Sequence, residues 1–232
     1  MMDDIINSVL SIRDNISIGP DNRSFEDKYR KAIYEAGKLV MQILLNPQDI
    51  SFATIRERTI NFVNTDNTVK NKYLEHYDKY LPTSKTLPEE SIANMCILLG
   101  GKTCYEMKFG RPEFYSGIEI SIVNEIIEFY LDLVDDYPSV LNNNNNGFID
   151  INDNSFENIS KIHRSNASRK ESIWRSVVDR DMQLLSSNWS LVEQIAQLLV
   201  NKLTVTADDI KYLLSQRNGY SSLPYFNTLY QQ

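Results

Sequence analysis

Two consecutive glycines, Gly100 and Gly101, fall in the middle of a stretch that otherwise reads as one helix from Pro88 to about Met107. Pro88 with Glu89 and Glu90 suits a first helical turn, where proline gives up no hydrogen bond and acidic side chains face the positive end of the helix dipole. The run ends near Gly110-Arg111-Pro112. A glycine in an exposed helix interior costs about 1 kcal/mol relative to alanine. A pair of them is therefore expected to serve close approach of a neighbouring backbone, which a Cβ would block. The expected neighbour is the helix of residues 25 to 45. There Phe25, Tyr29, Ala32, Ile33, Ala36, Leu39, Val40, Ile43 and Leu44 recur at helical spacing, Ser24 and Asp27 mark a start, and Asn46-Pro47 a stop. A mainly α fold built on one tight helix pair is the expectation.

The rest of the chain is read around that pair. From Ile50 to Ile60 the residues are β-branched and bulky enough for a strand. Residues 61 to 86 are polar and tyrosine-rich, a long excursion with one short helix around Lys70 to Tyr80. Ile118 to Ile122 alternates like a strand, yet Ile122, Ile126, Tyr130 and Leu133 continue at helical spacing, so a helix is expected from about 118 to 135. The asparagine run after Leu141 has nothing to bury, and residues 138 to 164 are expected to form a flexible surface insert. Asp150, Asn152 and Asp153 within it lack the central glycine and terminal glutamate of a calcium loop. Helices are expected again from Ser168 to Ser186, Trp189 to Leu203 and Thr206 to Gln216, the last opened by the capping pair Thr206 and Asp209. Residues 1–23 read as an amphipathic N-terminal extension and 217–232 as a polar tail bearing Tyr220, Tyr225, Phe226 and Tyr230, which leaves 24–216 as one domain.

At 232 residues and 42% hydrophobic content, one sizeable core is within reach. No stretch approaches the roughly 18 uninterrupted apolar residues of a membrane span. The acidic start, Met1-Met2-Asp3-Asp4, lacks the basic region of a signal peptide. A net charge of −7 argues against nonspecific nucleic-acid binding. The basic run from His163 to Lys170 reads as a solvated helix entrance. Cys96 and Cys104, eight residues apart on one helix, would have Cα atoms about 12 Å apart, beyond disulfide reach of about 7 Å. They read as buried hydrophobes in a cytoplasmic or other reducing compartment.

The segment Ala32-Ile33-Tyr34-Glu35-Ala36-Gly37-Lys38-Leu39 has the frame of His-Glu-x-x-His, in which two histidines grip Zn²⁺ and the glutamate deprotonates its bound water. The two histidine positions hold Tyr34 and Lys38. Downstream, the residues from Ile92 to Gly110 look like a helix that runs I-A-x-x-L-G-G-R-A-A-E-E-x-x-F-G, Tyr115 to Ile122 is similar to S-G-A-E-N-D-L, and Leu191 to Leu199 with Leu203 to Ile210 resembles L-x-x-L-A-x-x-L-L then L-x-x-x-E-I. These blocks, in this order, resemble the peptidase domain of FtsH-type AAA zinc peptidases over about residues 25 to 216, apart from the middle insert.

That resemblance implies a helical FtsH-type peptidase-domain fold with a short strand segment after the first core helix. It also places the third zinc ligand, an aspartate in the family, at Ser121. With Tyr34, Lys38 and Ser121 at the ligand positions, no metal and no cofactor is expected, and Tyr34, Glu35, Lys38 and Ser121 form a vestigial site with no catalytic residue. The two histidines, His76 and His163, lie in polar surroundings and read as solvated. No G-x-x-x-x-G-K-[ST] phosphate loop occurs, so the family's ATPase module is not expected here. The reading is a pseudoprotease acting through protein contacts, with an AAA peptidase or a second copy of itself as partner. One alternative is a metal-independent hydrolase using Glu35 as general base beside Lys38. Another is a helical binding module unrelated to proteolysis. Charge balance further predicts that Lys38 stands in for the lost ion, reaching Glu35 at i−3, with Tyr34 filling imidazole volume and Ser121 facing them.

Overall fold

The structure, a computed structural model, describes residues 21–50, 52–56, 77–111, 117–136 and 156–216. Among these it is mainly helical: α1 (Phe25–Leu45), α2 (Pro88–Phe109), α3 (Gly117–Asp136), α4 (Phe156–Ser187), α5 (Trp189–Lys202) and α6 (Ala207–Ser215). A small antiparallel sheet joins β1 (Phe52–Thr54) to β2 (Thr204–Thr206), pairing Ala53 with Val205. Two 3₁₀ turns, Pro47–Asp49 and Asp78–Tyr80, complete the described elements.

α1 starts where the Ser24 side chain accepts the Asp27 N–H and its hydroxyl donates to the Asp27 carboxylate at 2.6 Å. This reciprocal cap satisfies an N–H that the helix cannot. α1 then runs through the centre of the molecule, packed on α2 and α5, while α2 carries α3 and α4 on its other sides. Ile33, Val40, Met41, Met95, Leu98, Leu99, Ile126, Ile195 and Leu199 meet in the shared core.

The α1–α2 crossing depends on three glycines. A Cβ on Gly37 would lie 2.4 Å from the Cys104 Cβ and 2.5 Å from the Gly100 carbonyl oxygen. One on Gly100 would lie 2.5 Å from the Met41 Cγ, and one on Gly101 2.8 Å from the Tyr34 carbonyl oxygen. The expected role of Gly100 and Gly101 against the helix of residues 25 to 45 therefore holds, with Gly37 as their counterpart on α1.

The strand expected over Ile50 to Ile60 is shorter. Only Phe52–Thr54 pairs, and residues 57–60 lie outside the described residues. Its partner β2, which sequence reading passed over, forms because Leu203 takes a left-handed conformation (φ 64°) at the end of α5 and turns the chain back. Such a conformation costs a leucine about 1–2 kcal/mol. The Leu203 N–H donates to Leu199 O at 2.7 Å, and Leu203 O accepts from the Ile55 N–H at 2.9 Å and the Thr54 hydroxyl at 3.0 Å. Those bonds offset the strain. Thr206 and Asp209 cap α6 reciprocally, as expected.

One boundary is corrected. Residues 138 to 164 were expected to be a flexible insert, but α4 begins at Phe156 and runs unbroken through 164. From Phe156 to Lys170 there is neither proline nor glycine, so each residue adds a hydrogen bond to a helix already nucleated. The low-complexity asparagine run lies outside the described residues, as do residues 1–20, His76 and 217–232. No helix among the described residues is long and apolar enough to cross a membrane.

Candidate functional site

Tyr34 and Lys38 project from the middle of α1 on the side where α2 passes closest, and Glu35 lies beside Lys31. The missing Cβ of Gly101 leaves room for both the Tyr34 ring and the Lys38 stem: a Cβ there would sit 3.0 Å from Tyr34 Cζ and 2.8 Å from Lys38 Cγ. The Lys38 side chain therefore continues over α2 towards α3. Its Nζ donates to Glu119 Oε1 at 3.1 Å. The Tyr77 hydroxyl donates to the same oxygen at 2.8 Å. The ammonium also lies 5.7 Å from the ring centroids of both Tyr34 and Tyr77, within cation–π range. Three segments far apart in sequence are thus fastened at one buried point: α1, the turn at Tyr77, and the first turn of α3.

Burial disfavours the charged form of Lys38, but the nearby Glu35, Tyr77 and Glu119 outweigh it and hold its pKa above the usual lysine value. Glu119 is 3% exposed, and burial alone would push its pKa up. Lys38, a hydrogen bond from its own backbone N–H at the start of α3 and the Tyr77 hydroxyl together bring it below the usual carboxylate value. Both groups are charged at neutral pH. Removing one member of such a pair typically costs about 3–5 kcal/mol, because the survivor stays buried without a counter-charge.

Two expectations about this site are corrected. Lys38 bridges Glu119 rather than Glu35, and Glu35 instead lies 3.5 Å from Lys31, one turn earlier on the rim of α1. Ser121 does not face α1. It sits on the exposed face of α3, because two residues on a helix are about 200° apart and Glu119 takes the inward direction. Glu119, missed in the sequence, was legible in principle: with Ile122, Val123, Ile126 and Ile127 it falls on one stripe at helical spacing, and all five are buried. A carboxylate on an apolar stripe asks for a buried cation.

These donors do not suit zinc. A Zn²⁺ site needs carboxylate, thiolate or neutral imidazole ligands converging on a cation-sized position. Here an ammonium occupies the centre, bonded to the Glu119 carboxylate, flanked by two phenol rings and acted on by Glu35. Among the described residues no three His, Cys, Asp or Glu side chains converge as metal ligands would. Nor is Lys38 poised as a base or nucleophile, since its raised pKa keeps it protonated. Cys96 and Cys104 are buried and free, and burial pushes the Cys104 thiol up to about 12, so neither is a reactive thiolate at neutral pH.

A second polar cluster ties α5 to α1 and α2. Glu193 accepts from the Tyr29 hydroxyl at 2.6 Å, the Lys108 ammonium at 2.6 Å and the Trp189 indole at 3.1 Å. No protein-family model matches this sequence, and no curated protein matches it.

Proposed function

We propose that this chain is a non-catalytic counterpart of FtsH-type peptidase domains that acts by binding protein, either a second copy of itself or an AAA peptidase. The observation that carries the reading is the buried Lys38–Glu119 pair. Lys38 stands where the resembled motif has its second zinc-binding histidine, and Glu119 where the S-G-A-E-N-D-L pattern has its glutamate. Lys38 is fixed by Glu119 with the Tyr34 ring beside it, while Ser121, at the position of the third ligand, lies on the exposed face of α3. What remains is a rigid junction suited to presenting a surface.

Two experiments test this. Unfolded casein should stay intact with the purified protein, with or without zinc and ATP. Cleavage abolished by Glu35→Gln would overturn the non-catalytic reading. The Tyr34→His/Lys38→His variant, carrying two imidazoles beside Glu35 and the Glu119 carboxylate, should gain about one chelator-resistant zinc per chain by elemental analysis, where the parent gains none. A folded double variant that takes up no zinc would refute the kinship with zinc peptidases.

A further inference from the structure

The apolar stripe of α4 that packs on α2 carries an acid at its centre. Val177, Asp181 and Leu185 recur every fourth residue, and all three are buried, Asp181 completely. An aliphatic side chain would suit that position. Across the interface, among the described residues, the donor that reaches Asp181 is the Thr103 hydroxyl, 3.5 Å from Oδ2 and at the limit of a hydrogen bond, and the Cys96 thiol lies nearby. Oδ1 is buried with no hydrogen-bond partner. No counter-charge is placed as Lys38 is for Glu119. Arg180, its neighbour on α4, acts on it weakly from an exposed side chain, and among the described residues no charged group of α1, α3 or α5 acts on it.

We propose that Asp181 makes the α2–α4 contact a proton-controlled joint, closed while the carboxyl carries its proton and loosened when the proton leaves. The protonated acid is neutral and tolerates the thiol, the hydroxyl and the dry surroundings. The carboxylate would be a buried charge without a partner. Burial accordingly raises the Asp181 pKa to about 8, so the group changes charge in the physiological range. α2 is the chief neighbour of α4, and α5 is held separately on α1, so the loss falls on one helix. Asn188 separates α4 from α5 with non-helical backbone (φ −117°), while its amide donates to Leu184 O at 2.8 Å, which gives α4 a pivot at its C-terminal end.

The sign follows from linkage. Released from α2, Asp181 titrates near 4. The closed state therefore binds the extra proton between pH 4 and 8, and opening becomes easier as pH rises through that window. Hydrogen exchange of the α4 amides, corrected for the intrinsic pH dependence of exchange, reads this directly. The opening constant should climb about tenfold per pH unit from pH 5 to about 7.5, then level off above 8. Asp181→Asn, which mimics the protonated acid, should leave it flat. A flat profile in the parent chain, or an equal slope in Asp181→Asn, would overturn the proposal. Should Asp181→Asn not fold, carbon-13 NMR of the parent decides: a carboxyl midpoint near 8 supports the joint and one near 4 refutes it.

Discussion

Gly37→Ala is the sharpest test of how this fold is assembled. The added methyl would start 2.4 Å from the Cys104 Cβ and 2.5 Å from the Gly100 carbonyl oxygen, where ordinary contact is about 3.5–4.0 Å. Neither neighbour is a flexible tip, so no rotamer change relieves the clash, and α1 and α2 must part by about 1 Å. A gap of that size forfeits a quarter to a half of the dispersion energy of each contact along the seam. Overpacking of this kind costs about 1–3 kcal/mol and sometimes more, and a crossing of two backbones lies at the upper end or above. Against it stands about 1 kcal/mol gained from the helix propensity of alanine. The net expectation is a loss of about 2–4 kcal/mol in urea unfolding. Gly100→Ala should cost less, since its nearest neighbour, the Met41 Cγ, belongs to a flexible side chain. Gly117→Ala, with nothing within 4 Å, should be neutral or slightly stabilising. A Gly37→Ala protein as stable as the parent would refute the close-packed crossing and the account of the paired glycines.

Lys38→Met should lose about 3–5 kcal/mol by leaving Glu119 buried and unpaired, whereas Lys38→Met/Glu119→Leu should recover most of it, giving a large coupling energy in a double-mutant cycle of urea melts. The pair also sets a pH window. The Glu119 pKa is lowered by folding, so its stabilisation is present above about 4.5 and lost as pH falls through the folded value; the Lys38 pKa is raised, so its share is present below about 10.5 and lost as pH rises beyond it. Asp181→Asn should stabilise the fold above pH 8 by up to about 6 kcal/mol, the equivalent of a displacement from 3.8 to about 8, and by almost nothing below pH 4. Thr206→Ala should cost about 1 kcal/mol in thermal or urea melts by removing the α6 cap.

The elements that local chemistry dictates were legible in the sequence. Ser24, Pro88, Gly110 and the Thr206–Asp209 pair each mark a helix end at its observed place, because caps act within one turn. The glycine pair pointed to its partner helix, since a missing Cβ in a helix interior has few other uses. What could not be read was set by contacts distant in the chain. β2 is only three residues long and exists because β1, some 150 residues earlier, offers it an edge. In the site, the helical face of Glu35 and Lys38 was correct, but the choice of partner was not: Lys31 at i−4 takes Glu35, and Lys38 is directed across Gly101 to a carboxylate 81 residues away.

Glu119 and Asp181 show why a buried acid cannot be interpreted from its own helix alone. Each sits on an apolar stripe of a helix that packs against the central pair, and each is almost wholly excluded from water. In isolation both stripes would suggest the same cost. Yet Glu119 meets an ammonium, a phenol and its own backbone N–H, and stays ionised, whereas Asp181 meets a thiol and a distant hydroxyl, and keeps its proton to about pH 8. The first becomes a fixed cross-link whose strength is constant across the physiological range. The second becomes a contact whose strength follows pH. Lys38–Glu119 holds α1, α3 and the Tyr77 turn in one arrangement, while the Asp181 contact joins α2 to α4, so the constant cross-link and the pH-dependent one act on different helix pairs.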